Sequence, residues 1–373
     1  MVRRSKRKRV EVEVEVEEGE VSKYFKKEET SQLPEFSSRD ELDEVDIDMV
    51  KAMNADIYYD WVNARTKDDI GAIEIIDRPT FPRNFASIYP KVRLMRSKIA
   101  TPVDTVGCAS LPITVSKEFG ISRNDITPKN YRFQLLIALM LSSQTRDEAN
   151  AKAIHNLMEY CIEELKNPEG ITLDCMFQIE EPVLAKLIYP VSFYTRKAMY
   201  IKKSIQRLVD DFDSDVPTTI EGYLSLTGVG PKMGYLALQK AWGKVDGIGV
   251  DVHVDRLCKM WRWVDPAKAK TPEHTRKLLQ EWLPREFWYE INPILVGFGQ
   301  VICLPRGKRC DLCMVNNICN AVDPKKVNQK SSSQNALRKG RGNYAEWIDY
   351  FKQTTEGSDI SIESDRKVTR KEL

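Results

Sequence analysis

The sequence predicts a nearly all-α protein carried between two polar, charged ends. Three observations lead there. Apolar residues recur at helical spacing through YRFQLLIALMLSS, AKAIHNLMEYCIEEL, KAMYIKKSIQRLVDDF, KMGYLALQKAW, VDRLCKMWRWV and FWYEINPILVGFGQVI. Alternating apolar and polar residues, the mark of a half-buried strand, form no useful run in the body, and EVEVEV near the start is too charged to face a core. The two ends are too polar to bury the surface that ordering requires.

Size and charge set further bounds. A chain of 373 residues, 42% hydrophobic and 30% charged, can build one large or two medium domains. With 57 Lys and Arg against 55 Asp and Glu, bulk charge neither demands nor excludes a nucleic acid, so any footprint for one must be a local patch. No apolar run approaches the roughly 20 residues needed to cross a bilayer, and the N-terminus lacks the apolar stretch of a signal peptide, so a cytosolic or nuclear home and no membrane partner are expected.

Residues 1–55 read as a charged tail. Its basic cluster RRSKRKR, residues 3–9, is expected to direct nuclear import. The acidic EVEVEVEEGE that follows argues against a permanently DNA-bound arm and against an acid-poor mitochondrial presequence, and dual targeting to the mitochondrion stays open.

In LLIALMLSSQTRD, residues 135–147, an apolar helix ends abruptly in polar residues and delivers Gln144 to a surface or cleft. Glutamine can hydrogen-bond base edges, or simply cap a turn. YPVSFYTRKA, residues 189–198, puts Phe193 and Tyr194 in a short connector beside basic residues, as a wedge for a base stack or as a core aromatic pair.

LTGVGPKMGY, residues 226–235, packs Gly228, Gly230, Pro231 and Lys232 into one turn. Pro231 suits the first position of a helix, so Lys232 falls in the first turn, where the helix dipole disfavours a positive charge. Flanking glycines leave backbone N–H groups free to meet a phosphate; a plain helix–turn–helix corner is the alternative. In GIGVDVHVDRL, residues 247–257, Asp251 precedes a helical pattern as an N-cap and can also serve as a carboxylate partner for an amine.

Four of the eight cysteines cluster in CLPRGKRCDLCMVNNIC. Cys303, Cys310, Cys313 and Cys319, spaced C-x6-C-x2-C-x5-C, form a metal site, and spacing alone does not choose between zinc and an iron–sulfur cluster. Arg306, Lys308 and Arg309 in the same loop are candidate phosphate contacts. Residues 326–373 read as a mostly disordered tail with a possible helix at YAEWIDYF, residues 344–351.

Together LSSQTRD, PVSFYTRKA, LTGVGPK, VDVH and the cysteine spacing resemble the endonuclease III family of DNA glycosylase/AP lyases over roughly residues 85–320, and ATPVD, GVGPKM and VGFGQVICLP resemble its eukaryotic branch, the thymine-glycol glycosylases. The resemblance implies a helix-hairpin-helix glycosylase fold of two helical domains. An N-terminal extension, 56–129, would pack on the cluster domain, 246–325, and a six-helix domain would span 130–245, with duplex DNA across the cleft between the two.

By the same resemblance the four cysteines hold a [4Fe-4S] cluster, Lys232 is the nucleophile and Asp251 its partner. Gln144 fills the gap left by an extruded base, and Phe193 is the wedge. A neutral amine at Lys232 would displace a damaged pyrimidine, form a Schiff base with the opened sugar and allow β-elimination of the 3′ phosphate. The protein would act as a monomer on damaged double-stranded DNA, with downstream repair proteins as partners of the tails. Two departures stand out: Val252 replaces the threonine usual after the catalytic Asp, and Phe193 replaces a smaller aliphatic residue. An adenine-mispair glycosylase would lack Lys232 and carry a further domain after its cysteines. A non-catalytic DNA-binding scaffold with a structural metal is the alternative from another class.

Overall fold

A computed structural model describes residues 45–66, 73–327 and 342–356. The basic cluster at 3–9 lies outside the described residues. The chain runs α1 (Ile47–Ala52), α2 (Ala55–Thr66), α3 (Phe85–Ser97), α4 (Pro102–Thr105), α5 (Leu111–Glu118), α6 (Pro128–Ser142), α7 (Asp147–Glu163), α8 (Leu173–Gln178) and α9 (Glu181–Leu187). It continues through α10 (Tyr194–Asp211), α11 (Ile220–Ser225), α12 (Pro231–Trp242), α13 (Val252–Met260), α14 (Pro272–Gln280), α15 (Ile291–Val301), α16 (Pro324–Val327) and α17 (Ala345–Glu356). Among the described residues there is no strand, and one isolated antiparallel bridge pairs Ala100 with Asn343.

Two apolar cores organise these helices. The first gathers around α6, which is buried without interruption over residues 131–141. A helix buried on every side belongs at the centre of a bundle. Its start is fixed by Thr127, whose hydroxyl accepts from the Asn130 amide at 3.2 Å, and by Pro128 in the first turn. α12 packs along it, and α7 and α10 also lie against it. Arg132 on α6 is buried with its charge matched: its Nε donates to Asp215 at 3.1 Å and its guanidinium lies 4.2 Å from the Trp242 ring centroid.

The second core joins α3, α13 and α15. Phe85, Tyr89, Trp263 and Trp282 meet there, with Phe85 stacked on Tyr89 at 5.2 Å and edge-on to Trp282 at 4.9 Å. Arg93 of α3 bonds Glu290 at 3.0 Å, and Tyr89 donates to the same carboxylate at 2.8 Å, so the buried acid is fully engaged.

The cores divide the chain differently from the sequence-based boundaries. Residues 47–52, expected to belong to a tail, form α1, with the Asp46 carboxylate accepting from the Asp48 and Met49 amides at 3.0 and 3.1 Å and Val50 buried below. The segment 56–129 does not pack as one piece on the second core: α3 and α4 do, but α2 and α5 pack on the first. Aromatic surface is the cause. Tyr58, Tyr59 and Trp61 are buried, Tyr59 meets Tyr131 edge-on at 5.2 Å, and the Tyr58 hydroxyl donates to the Ala241 carbonyl at 2.7 Å. In the C-terminal region α17 is docked on the second core, where buried Trp347 donates from Nε1 to the Leu312 carbonyl at 3.0 Å.

Candidate functional site

The turn before α12 is a tight helical hairpin. Val229 donates its amide to the Leu226 carbonyl at 3.2 Å, and Gly228 sits at φ 86°, where a Cβ would lie 2.5 Å from Tyr200 Cδ2. Only glycine fits. Gly230 is different: at φ −105° it is unstrained, and nothing within 4 Å would meet its Cβ. Its missing side chain leaves open surface around the start of α12. Gly234, one turn on, lets α12 close on α11, since a Cβ there would come within 2.6 Å of Ile220 Cδ1. Pro231 opens the helix, so half-buried Lys232 lies in its first turn, as the sequence predicts.

Asp251 caps α13. Its Oδ1 accepts from the amides of His253 and Val254, both at 2.8 Å, which fixes the carboxylate in one orientation. That group and Lys232 line one cleft of about 1130 Å³, bounded by the end of α6, the start of α12 and the start of α13, with Gln144, Gly230, Cys108 and Asp147 also on its wall.

The electrostatics of the cleft follow from its partial closure. Burial holds the Asp147 carboxyl above its ordinary range, opposed by Gln300, which donates to it at 2.8 Å, and by the charges of Lys232 and His253. Burial lowers His253 and raises the Cys108 thiol; the Asp251 carboxylate opposes the first and the Lys232 charge the second. The amine of Lys232 thus acts on three groups around the cleft. Asp147, Cys108 and Gln300 were not singled out from the sequence, where each is an isolated polar or sulfur-bearing residue with no spacing to mark it.

Gln144 is exposed at the cleft, in the left-handed region at φ 51°. Phe193 does not line the cleft. It is 55% exposed at the head of α10, also left-handed at φ 56°, with Arg196 lying 5.8 Å from its ring centroid. A bulky residue in that region is uncommon and strained. Close in sequence, Tyr189 is 67% exposed and meets Tyr194 edge-on at 5.3 Å, which makes it an exposed aromatic beside Phe193 that the sequence pattern did not separate from core residues.

Cys303, Cys310, Cys313 and Cys319 ring one small cavity walled by Trp261, Phe298 and Val315. Among the described residues, these four included, no three His, Cys, Asp or Glu side chains converge on a point that could hold a single ion. Burial pushes the Cys303 and Cys313 thiols up. Four sulfur donors in a cavity otherwise lined by apolar side chains with Lys308, Arg309 and Asn316 fit a soft-metal group. Of the three basic residues, Arg306 alone is exposed; Lys308 donates to the Ala321 carbonyl at 3.0 Å and Arg309 bonds Asp311 at 2.9 Å, so both serve the loop itself. Leu304 and Pro305 carry the loop to the edge of the cleft.

Comparison with known proteins now bears on this arrangement. The HhH-GPD superfamily of base excision DNA repair proteins matches residues 137–285, a span that includes Gln144, Phe193, the hairpin, Lys232 and Asp251. The chain is 53% identical over 343 residues to endonuclease III homolog 2 of Saccharomyces cerevisiae, covering 88% of this chain and 90% of the relative. The chain belongs to the endonuclease III family. Endonuclease III-like protein 1 of Mus musculus is 38% identical to it over 267 residues, 71% of this chain and 81% of the mouse protein. Family membership supports a DNA glycosylase role and a helix-hairpin-helix glycosylase fold, in which α11 and α12 are the hairpin helices. The cysteine loop lies beyond the span matched by the superfamily.

Proposed function

We propose that the protein is a bifunctional DNA N-glycosylase and AP lyase that removes oxidised pyrimidines of the thymine-glycol type from duplex DNA. One observation carries this reading: an amine and a carboxylate, Lys232 and Asp251, line the same cleft from the first turn of one helix and the cap of another. The amine attacks the anomeric carbon of the damaged nucleotide and the base departs with its bonding electrons. A Schiff base forms on the opened sugar, loss of the C2′ proton expels the 3′ phosphate, and water releases the lysine. Asp251, immobilised by two amides, stabilises the cationic stages.

The extruded base requires a cleft, and the duplex requires something in its place. Gln144, exposed on the cleft wall, fills the vacancy, and Phe193 wedges the stack. Gly228 and Gly230 present backbone to the phosphates, joined by Arg306.

The four cysteines are proposed to hold a [4Fe-4S] cluster. Support comes from four sulfur donors lining one cavity, a donor set that suits thiolate-held iron–sulfur chemistry. When bound, the cluster would pin the loop and balance its thiolates. A monomer working in the nucleus, with downstream repair proteins contacting the end regions, completes the proposal.

Borohydride trapping on duplexes carrying thymine glycol or an abasic site tests it. The wild type is expected to form a covalent adduct on both and Lys232→Gln on neither, with lesion binding retained. Trapping on the abasic duplex alone removes the base specificity. No adduct from a protein that still binds DNA leaves the non-catalytic scaffold.

A further inference from the structure

Lys197 is a buried lysine outside the reaction just described, 7% exposed on the second turn of α10. Its three ammonium protons have three acceptors: the Leu141 carbonyl at 2.6 Å, the Ser143 carbonyl at 2.7 Å and the Thr145 hydroxyl at 2.9 Å. An ammonium is the side-chain group that offers three donors and no acceptor, so the match is complete. Two of those partners are the immediate neighbours of Gln144. At the other end, the Lys197 amide donates to the Phe193 carbonyl at 2.9 Å.

One residue therefore bonds both sides of Gln144 and the backbone of Phe193. Both are non-glycine residues held in the left-handed region, at φ 51° and 56°, a conformation that persists only where neighbours enforce it. The C-terminal carbonyls of α6 also carry the negative end of its dipole, which favours a cation at this point. Burial draws the Lys197 amine down to about 8, the largest influence on it, with Cys108 acting in the opposite sense.

We infer that Lys197 is a positioning residue that couples the Gln144 loop to the Phe193 turn, so that plug and wedge enter the duplex as one rigid unit. The inference rests on the proposed DNA contacts of those two residues. Its content is energetic: two elements held at a fixed spacing cooperate in binding, because seating one seats the other.

The test is a double-mutant cycle between Gln144→Ala and Phe193→Ala, run in the wild-type background and again with Lys197→Met. Affinity is measured for a duplex bearing a non-cleavable tetrahydrofuran site, and thermal unfolding checks each protein's fold. In the wild-type background the double variant should lose about five- to tenfold less affinity than the product of the single losses. With Lys197→Met the losses should multiply. Should that variant not fold, Thr145→Ala removes one acceptor and is expected to reduce the coupling in part.

Additive losses in the wild type overturn the inference, and so does coupling that survives Lys197→Met. If neither single variant weakens binding, the proposed DNA contacts fail and the inference falls with them, a result distinct from the other two. A general structural role for Lys197 would lower stability and leave the non-additivity in place.

Discussion

Asp251 has two roles that substitution can separate. As a cap it accepts two amides at 2.8 Å, and as a cleft residue it supplies negative charge facing the same space as Lys232. Asparagine caps a helix about as well as aspartate, so Asp251→Asn should keep both bonds and lose only the charge–dipole attraction, about 0.3–1 kcal/mol. Asp251→Ala loses the bonds as well, at a cost of about 0.5–2 kcal/mol. In a protein of this size each 1 kcal/mol moves the unfolding midpoint by about 2–4 °C or less. Thermal unfolding should therefore find the Asn variant within about 2 °C of wild type and the Ala variant a few degrees below it. Single-turnover base release should fall by about 100-fold or more in both, the scale of a lost acid–base or charge-stabilising group. The reasoning is refuted by an Asp251→Asn protein that releases base at the wild-type rate, since the charge would then be idle and the cap would be the whole contribution.

Three other outcomes follow from the geometry. Gly228→Ala should destabilise the fold by about 1–2 kcal/mol through its left-handed backbone and the Tyr200 contact, whereas Gly230→Ala should leave the midpoint nearer wild type and weaken duplex binding in anisotropy titrations; the reverse ranking in the melts contradicts the hairpin argument. Trp347→Ala empties a core position and orphans the Leu312 carbonyl, so metal should be lost faster on dialysis against a chelator, and wild-type retention would show that α17 does not brace the cysteine loop. For pH, the buried Lys197 amine loses its proton near 8 in the folded chain against 10.5 as the reference value, so the unfolded chain binds more protons between those limits. Wild-type stability relative to Lys197→Met should rise across that window, and a falling difference in denaturant titrations contradicts the assigned burial.

The sequence made some of this legible and hid the rest for physical reasons. α6 and α12 were readable because an uninterrupted apolar face, Thr127 and Pro128 at one start, and Pro231 at the other are local signals. Asp251 and the cysteines were readable because capping and thiolate spacing are local too. Lys197 was not, since a lysine in FYTRKA looks like one more solvated charge, and its three acceptors come from residues 52 to 56 positions away. The same blindness applies to Lys308 and Arg309, whose bonds to the Ala321 carbonyl and to Asp311 are not readable from their spacing. Boundaries failed where aromatic residues sat among charges: α2 reads as polar until Tyr131 and Ala241 receive its tyrosines. Trp347 likewise gives α17 a docking site that composition conceals.

The amine and the carboxylate belong to different halves of the molecule. α12 is built on the core that holds Val229 and Ala237, and α13 on the one that holds Val250 and Val254. Their alignment is therefore a property of the seam, where Gln239 donates to the Tyr289 carbonyl at 2.6 Å and Arg285 to the Val245 carbonyl at 3.0 Å. Sliding one half against the other would misalign the pair while leaving both side chains, both helices and the whole cleft chemistry intact. Turnover is in that sense a gauge of tertiary register, and substitutions along the seam would register as slow enzymes with undamaged active residues.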